Sequence, residues 1–228
     1  MLNLIIQEAI QKAVENKEVI KLIYAFIIIL ICIIIAKKSN KIFKISSYKG
    51  AKYFRNAFIF YGLAFFSRYF LMFVFSRLDL RLFYLISNYF FEFFLIIAGF
   101  LLLYSLSWKK IENNKEILNL KILIFYSMAL LLVVTDYLWR TYFLLFTSQI
   151  IIFSFIFAIS FINYIEKGKN RKFLRIYCFS MLLALIAWIL NALAGLLFNW
   201  NVFVMILIYS LNICVFLVFL FGVINSKN

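Results

Sequence analysis

Seven stretches of this chain are each apolar over roughly 20 residues, the length at which an α-helix crosses a hydrocarbon core of about 30 Å. They lie at about 19–36, 53–75, 82–106, 122–138, 142–165, 176–198 and 202–224. Such runs constrain the fold more than any other feature, because a backbone in lipid must satisfy its own hydrogen bonds, which leaves helices or closed barrels. Runs of this length select helices. With 67% hydrophobic residues the chain would expose far too much apolar surface as a soluble domain. The expected fold is therefore an all-α, polytopic membrane bundle of seven transmembrane helices in one domain, 19–224. Residues 1–18 place Leu2, Ile6, Ala9, Ile10 and Ala13 on one helical face, which predicts a short amphipathic helix ahead of the bundle. Residues 225–228 form a short tail.

The charge pattern orients the bundle. Lys37, Lys38, Lys41, Lys44, Lys49, Lys52 and Arg55 gather between the first two spans with no acid among them. A second basic segment holds Lys109, Lys110, Lys115 and Lys121, and a third holds Lys167, Lys169, Arg171, Lys172 and Arg175. Counted along the chain, these alternate segments and the C-terminal end carry seven, four, five and one basic residues, and the intervening ones three, two, one and none. The positive-inside rule then predicts the N-terminus outside, the C-terminus inside and residence in the cell membrane. The formal net charge of +15 is absorbed by this arrangement. It points to anionic lipid headgroups as a partner and not to nucleic acid.

Several chemistries are disfavoured. There is no histidine, which removes the commonest general base and metal ligand. Cys32, Cys178 and Cys214 have no metal-binding or redox spacing. No glycine-rich phosphate loop occurs, and the last span lacks the lysine a retinal Schiff base requires. Neither a metal nor a cofactor is expected, and an enzyme only through carboxylate or lipid chemistry. Proline is absent and glycines number six, which predicts straight, unbroken helices and argues against transporters built on discontinuous ones.

Polar residues inside the spans are the candidate functional groups, since charge in hydrocarbon is expensive. At about 1.5 Å per residue, Arg68 in the second span and Glu92 in the third lie at matching depth, which predicts an ion pair facing the interior. Such a pair either fixes helix register or serves function. Asn88, Asp136, Gln149, Asn191 and Asn212 fall in the same outer half. Each can be satisfied by a neighbouring helix; taken together with Arg68, Glu92 and Trp188 they outline an outward-facing ligand pocket. The aromatic richness, including 30 Phe, reads as a coding bias.

The run KISSYKGAKYFRNAFIFYGLAFFSRYF, residues 44–70, carries a basic loop into an aromatic helix with an arginine in its outer half. It resembles small uncharacterised seven-span proteins of archaea. The whole layout also resembles the seven-transmembrane input module of sensor histidine kinases, and that resemblance implies sensing of a signal or small ligand. Only four residues follow Ile224, so sensing is expected to act through a separate cytoplasmic or membrane effector. The expected function is a receptor-like or scaffold bundle; the alternatives are a small-solute transporter or channel and, third, a lipid-modifying enzyme.

Overall fold

The run AFIIILICIIIA is dense in β-branched isoleucine, which in water favours strands. In the computed structural model it is helical, as a low-dielectric surrounding demands. The structure describes residues 17–78, 80–111, 116–139, 143–167, 172–197 and 202–225. Among them there are seven helices and no strand: α1 Lys17–Ser46, α2 Lys49–Arg77, α3 Arg81–Ile111, α4 Glu116–Trp139, α5 Phe143–Lys167, α6 Lys172–Leu197 and α7 Val202–Asn225. Six are long and apolar enough to cross a membrane; the fourth is apolar over the shorter stretch Leu123–Trp139. Many large apolar side chains face outward, such as Phe26, Leu130 and Phe155, as expected of a surface solvated by lipid. The amphipathic segment read at 1–18 lies almost wholly outside the described residues.

Two expectations are corrected. The basic stretch between the first two spans is not a long loop, since α1 runs on to Ser46 and α2 starts at Lys49. Nothing in KKSNKIFKIS breaks a helix, and cations are favoured at a helix C-terminus. The chain turns at Ser47, whose φ of 52° is left-handed, with its N–H on Phe43 O at 2.9 Å. Second, α2 is not a continuous α-helix despite lacking proline. Residues Phe66–Leu71 form a π-helical turn, in which Met72 N–H donates to Ser67 O, five residues back. Such a turn accommodates one extra residue and re-aims the side chains within it. Arg68 is one of them.

Helices α1, α2, α3, α5, α6 and α7 pack in that order, and α7 returns to α1, closing a ring. α4 stands outside it, against α3 and α5. Small residues set the close approaches: a Cβ on Gly99 of α3 would meet Ile152 Cγ2 at 3.2 Å and Gln149 Oε1 at 3.3 Å on α5. On α1 the buried positions Tyr24, Ile28, Ile31, Cys32, Ile35 and Ser39 repeat every three or four residues and face the interior.

Candidate functional site

The ring encloses a cavity of about 380 Å³, within the range of small-molecule pockets of roughly 300–1,000 Å³. Every ring helix contributes to its lining and α4 does not. Along α7 the lining runs from Met205 to Phe219, about 21 Å at 1.5 Å per residue, so the cavity is elongated. Its two ends differ. Toward the start of α1 it is lined by the partly exposed Lys17 and Lys21 and by Arg68, Tyr69, Tyr209, Asn191 and Asn212. Deeper, its walls are Phe58, Leu95, Phe153, Ala184, Val215 and Phe216.

Arg68 is half-buried, held in the π turn. The ion pair read from the sequence is absent: among the described residues, no carboxylate lies within ion-pair distance of Arg68. Its guanidinium carbon stands 4.4 Å from the centroid of the Phe91 ring. That contact stabilises a cation by about 0.5–2 kcal/mol, set against about 2.5–3.5 kcal/mol for an arginine at mid-helix in a membrane. The physical reason for the difference is rotation. Phe91 occupies the face of α3 that meets Arg68, and Glu92, one residue on, is turned about 100° away.

Glu92 instead neighbours Asp136 of α4. It is fully buried, and neither of its oxygens has a donor among the described residues. Asp136, also buried, accepts the N–H of Leu144 at 3.1 Å on Oδ1 and that of Leu145 at 2.8 Å on Oδ2. A carboxylate placed so satisfies free amides at the start of α5 and complements the helix dipole. Arg140, four residues on from Asp136, lies outside the described residues. Gln149 is buried against Gly99, and Asn88 is buried on α3. Neither lines the cavity, nor do Glu92 and Asp136. The eight residues read from the sequence therefore divide: Arg68, Trp188, Asn191 and Asn212 line the cavity, and the other four belong to α3, α4 and α5 outside it.

The cavity also has polar lining that sequence reasoning missed. Tyr24, Tyr69 and Tyr209 form one cluster, with Tyr24 and Tyr209 stacked at 4.0 Å and Tyr24 edge-on to Tyr69 at 5.6 Å. Asn212 Nδ2 donates to Tyr24 Oη at 3.1 Å, and Tyr69 Oη to Tyr209 Oη at 3.4 Å. Asn191 Nδ2 donates to Ala187 O at 2.7 Å. Tyr61 lines the deeper part; its hydroxyl is buried with no hydrogen-bond partner among the described residues. A tyrosine deep within a span, away from the interfacial belt, is the signal that attributing the aromatics to coding bias concealed. At the deep end of the cavity, aromatic contacts close the bundle: Phe58 packs on Phe216 and Phe219, and Tyr177 on Phe54 and Phe219.

Of the basic residues between the first two helices, Lys37, Lys38, Lys41, Lys44, Lys49 and Lys52 are exposed. Arg55 is partly buried and donates to Asn40 Oδ1 at 2.7 Å. Arg175 is exposed on α6, while Lys169 and Arg171 lie outside the described residues. Among the described residues no group of histidine, cysteine and carboxylates could hold a metal.

These features define an all-helical, membrane-type bundle around an internal cavity. The chain is similar to a protein of Archaeoglobus fulgidus described only as uncharacterised, with 27% identity over 215 residues, covering 90% of this chain and 91% of that one. No protein-family model matches the chain. No solved structure matches it.

Proposed function

We propose that this protein is a receptor-like membrane bundle that binds a small molecule in its internal cavity from the extracellular side. The observation that carries the reading is the cavity itself, polar at one end and closed by aromatic packing at the other. A transporter or channel needs a polar path to the second side, and the Phe58, Phe216 and Phe219 contacts lie where that path would run. Charge alternation along the chain supports an N-terminus outside, with the start of α1 and the cavity's polar end facing out and the exposed lysines after Ala36 at anionic cytoplasmic headgroups. Residence in the cytoplasmic membrane and signalling through a separate effector belong to the same reading.

Native mass spectrometry of the protein, extracted gently from its own membrane, tests it. Ala187, buried on the cavity wall, is replaced by phenylalanine to fill the space without altering the lipid-facing surface. A small molecule bound to the native protein and absent from a folded Ala187→Phe variant is the expected result. The same lipids in equal amounts on both would overturn it.

A further inference from the structure

The geometry points to an amphiphilic anion as the ligand: an elongated apolar body with one anionic headgroup, held by Arg68. This rests on the cavity-binding reading and goes beyond it by assigning the chemistry.

Three independent observations lead there. Arg68 lines the cavity with no carboxylate in ion-pair distance among the described residues. Glu92 lies outside the lining. A ring face holds the guanidinium on one side, which leaves its planar fork of donors available, and that fork matches a carboxylate or phosphate in two parallel hydrogen bonds. Next, the polar end carries an excess of positive charge. Lys17 and Lys21 join Arg68 there, and among the described residues at that end the one acid is Glu18, paired to Lys21 at 2.6 Å. Finally, the walls below Arg68 are apolar and the cavity is long, so a compact inorganic anion would leave most of it unfilled. Tyr61 adds a buried hydroxyl without a partner partway down those walls, suited to a polar atom or unsaturation along the ligand body. A cationic ligand would meet Arg68 with like charge.

Trp188 lines the cavity and serves as a reporter, because bromine quenches an indole only on contact. The purified full chain in neutral detergent is titrated with dibromostearic acid and, separately, with its methyl ester, reading the fluorescence that Trp188→Phe removes. The acid is expected to quench this component saturably and to bind at least about tenfold tighter than the ester, the difference expected when a charge-assisted hydrogen bond is lost. In Arg68→Ala the two probes should bind alike, and Arg68→Lys should recover part of the preference. Equal binding of acid and ester to the native protein overturns the anion assignment while leaving a ligand cavity standing, and needs no variant to fold. Absence of saturable quenching by either probe overturns both readings.

The headgroup could belong to a free single-chain acid or to a bilayer lipid. Nanodiscs containing brominated phosphatidylglycerol or brominated phosphatidylcholine separate the two. Quenching of Trp188 by the anionic lipid alone assigns the site to a lipid headgroup, and quenching by the acid but by neither lipid assigns it to a single-chain ligand.

Discussion

At the scale of single residues, depth and direction carry different information. The distance of a residue from the end of its span gives its depth along the bundle, and that is the measure by which Arg68, Glu92 and Asn191 are read as a set. Direction around the helix was not legible, because seven apolar helices offer many possible neighbours and an irregular turn rotates every residue beyond it. Arg68 consequently found a ring where an acid was expected, and Glu92 found a second acid. The two carboxyls of the Glu92 and Asp136 pair are unequal. Asp136 accepts two backbone amides, whereas Glu92 has no donor among the described residues. Removing the former should leave amides at the start of α5 unsatisfied, and Asp136→Ala is expected to lower stability by about 1–2 kcal/mol, the scale of a lost helix cap. Glu92→Gln supplies an amide that can donate to Asp136 and cannot ionise beside it, so it should leave stability unchanged or raise it. Reversible unfolding in mixed micelles measures both; destabilisation by Glu92→Gln comparable to that of Asp136→Ala would contradict the assignment.

At the scale of elements, the π turn in α2 is the feature with the largest consequence. A regular α-helix would carry the stripe of Ala57, Tyr61 and Ala64 forward at fixed pitch; the extra residue lets both Arg68 and Tyr69 line the cavity. No sequence rule announced it, since proline and glycine are absent from FSRYFL; the turn packs against α1 and α3, and Tyr69 meets Tyr209 of α7. Because a π turn holds one residue more than an α-turn, deleting one residue there can convert it to regular helix and keep both flanks in register. Deletion of Phe70 is therefore expected to yield a folded protein of near-native helix content that has lost the acid preference of the cavity. Deletion of Phe60, in regular helix, rotates everything after it by about 100° and should abolish expression or folding. Circular dichroism and thermal unfolding of the two deletions make the comparison, and equal damage from both would remove the special status of the turn. The α3–α5 packing gives a companion case. Gly99→Ala sets a methyl group against Ile152 and Gln149 and is expected to cost about 1–3 kcal/mol by overpacking, seen in the same unfolding measurement.

At the scale of the whole molecule, the presence of apolar helices was legible because length and apolarity are local properties, but their ends were so only in places: α7, read at 202–224, is observed at Val202–Asn225, whereas α1, read at 19–36, runs from Lys17 to Ser46. Ring order was not legible. α4 stands outside the ring although its composition differs little from that of its neighbours, because only the packed faces decide which six helices close upon one another. Orientation across the membrane rests on a separate physical cause, the asymmetry of lysine and arginine between the two ends of the bundle, and it determines which compartment the cavity samples. Ser46 is exposed at the turn between α1 and α2, and Ser76 is exposed near the end of α2, at the same end of the bundle as Lys17 and Lys21. In a background with Cys32, Cys178 and Cys214 replaced by alanine, a membrane-impermeant maleimide applied to intact cells should label Ser76→Cys at once. Ser46→Cys should react only after the membrane is opened. The reverse pattern would place Lys17, Lys21 and Arg68 on the cytoplasmic side, and the ligand would then have to be an intracellular amphiphile or one drawn from the inner leaflet.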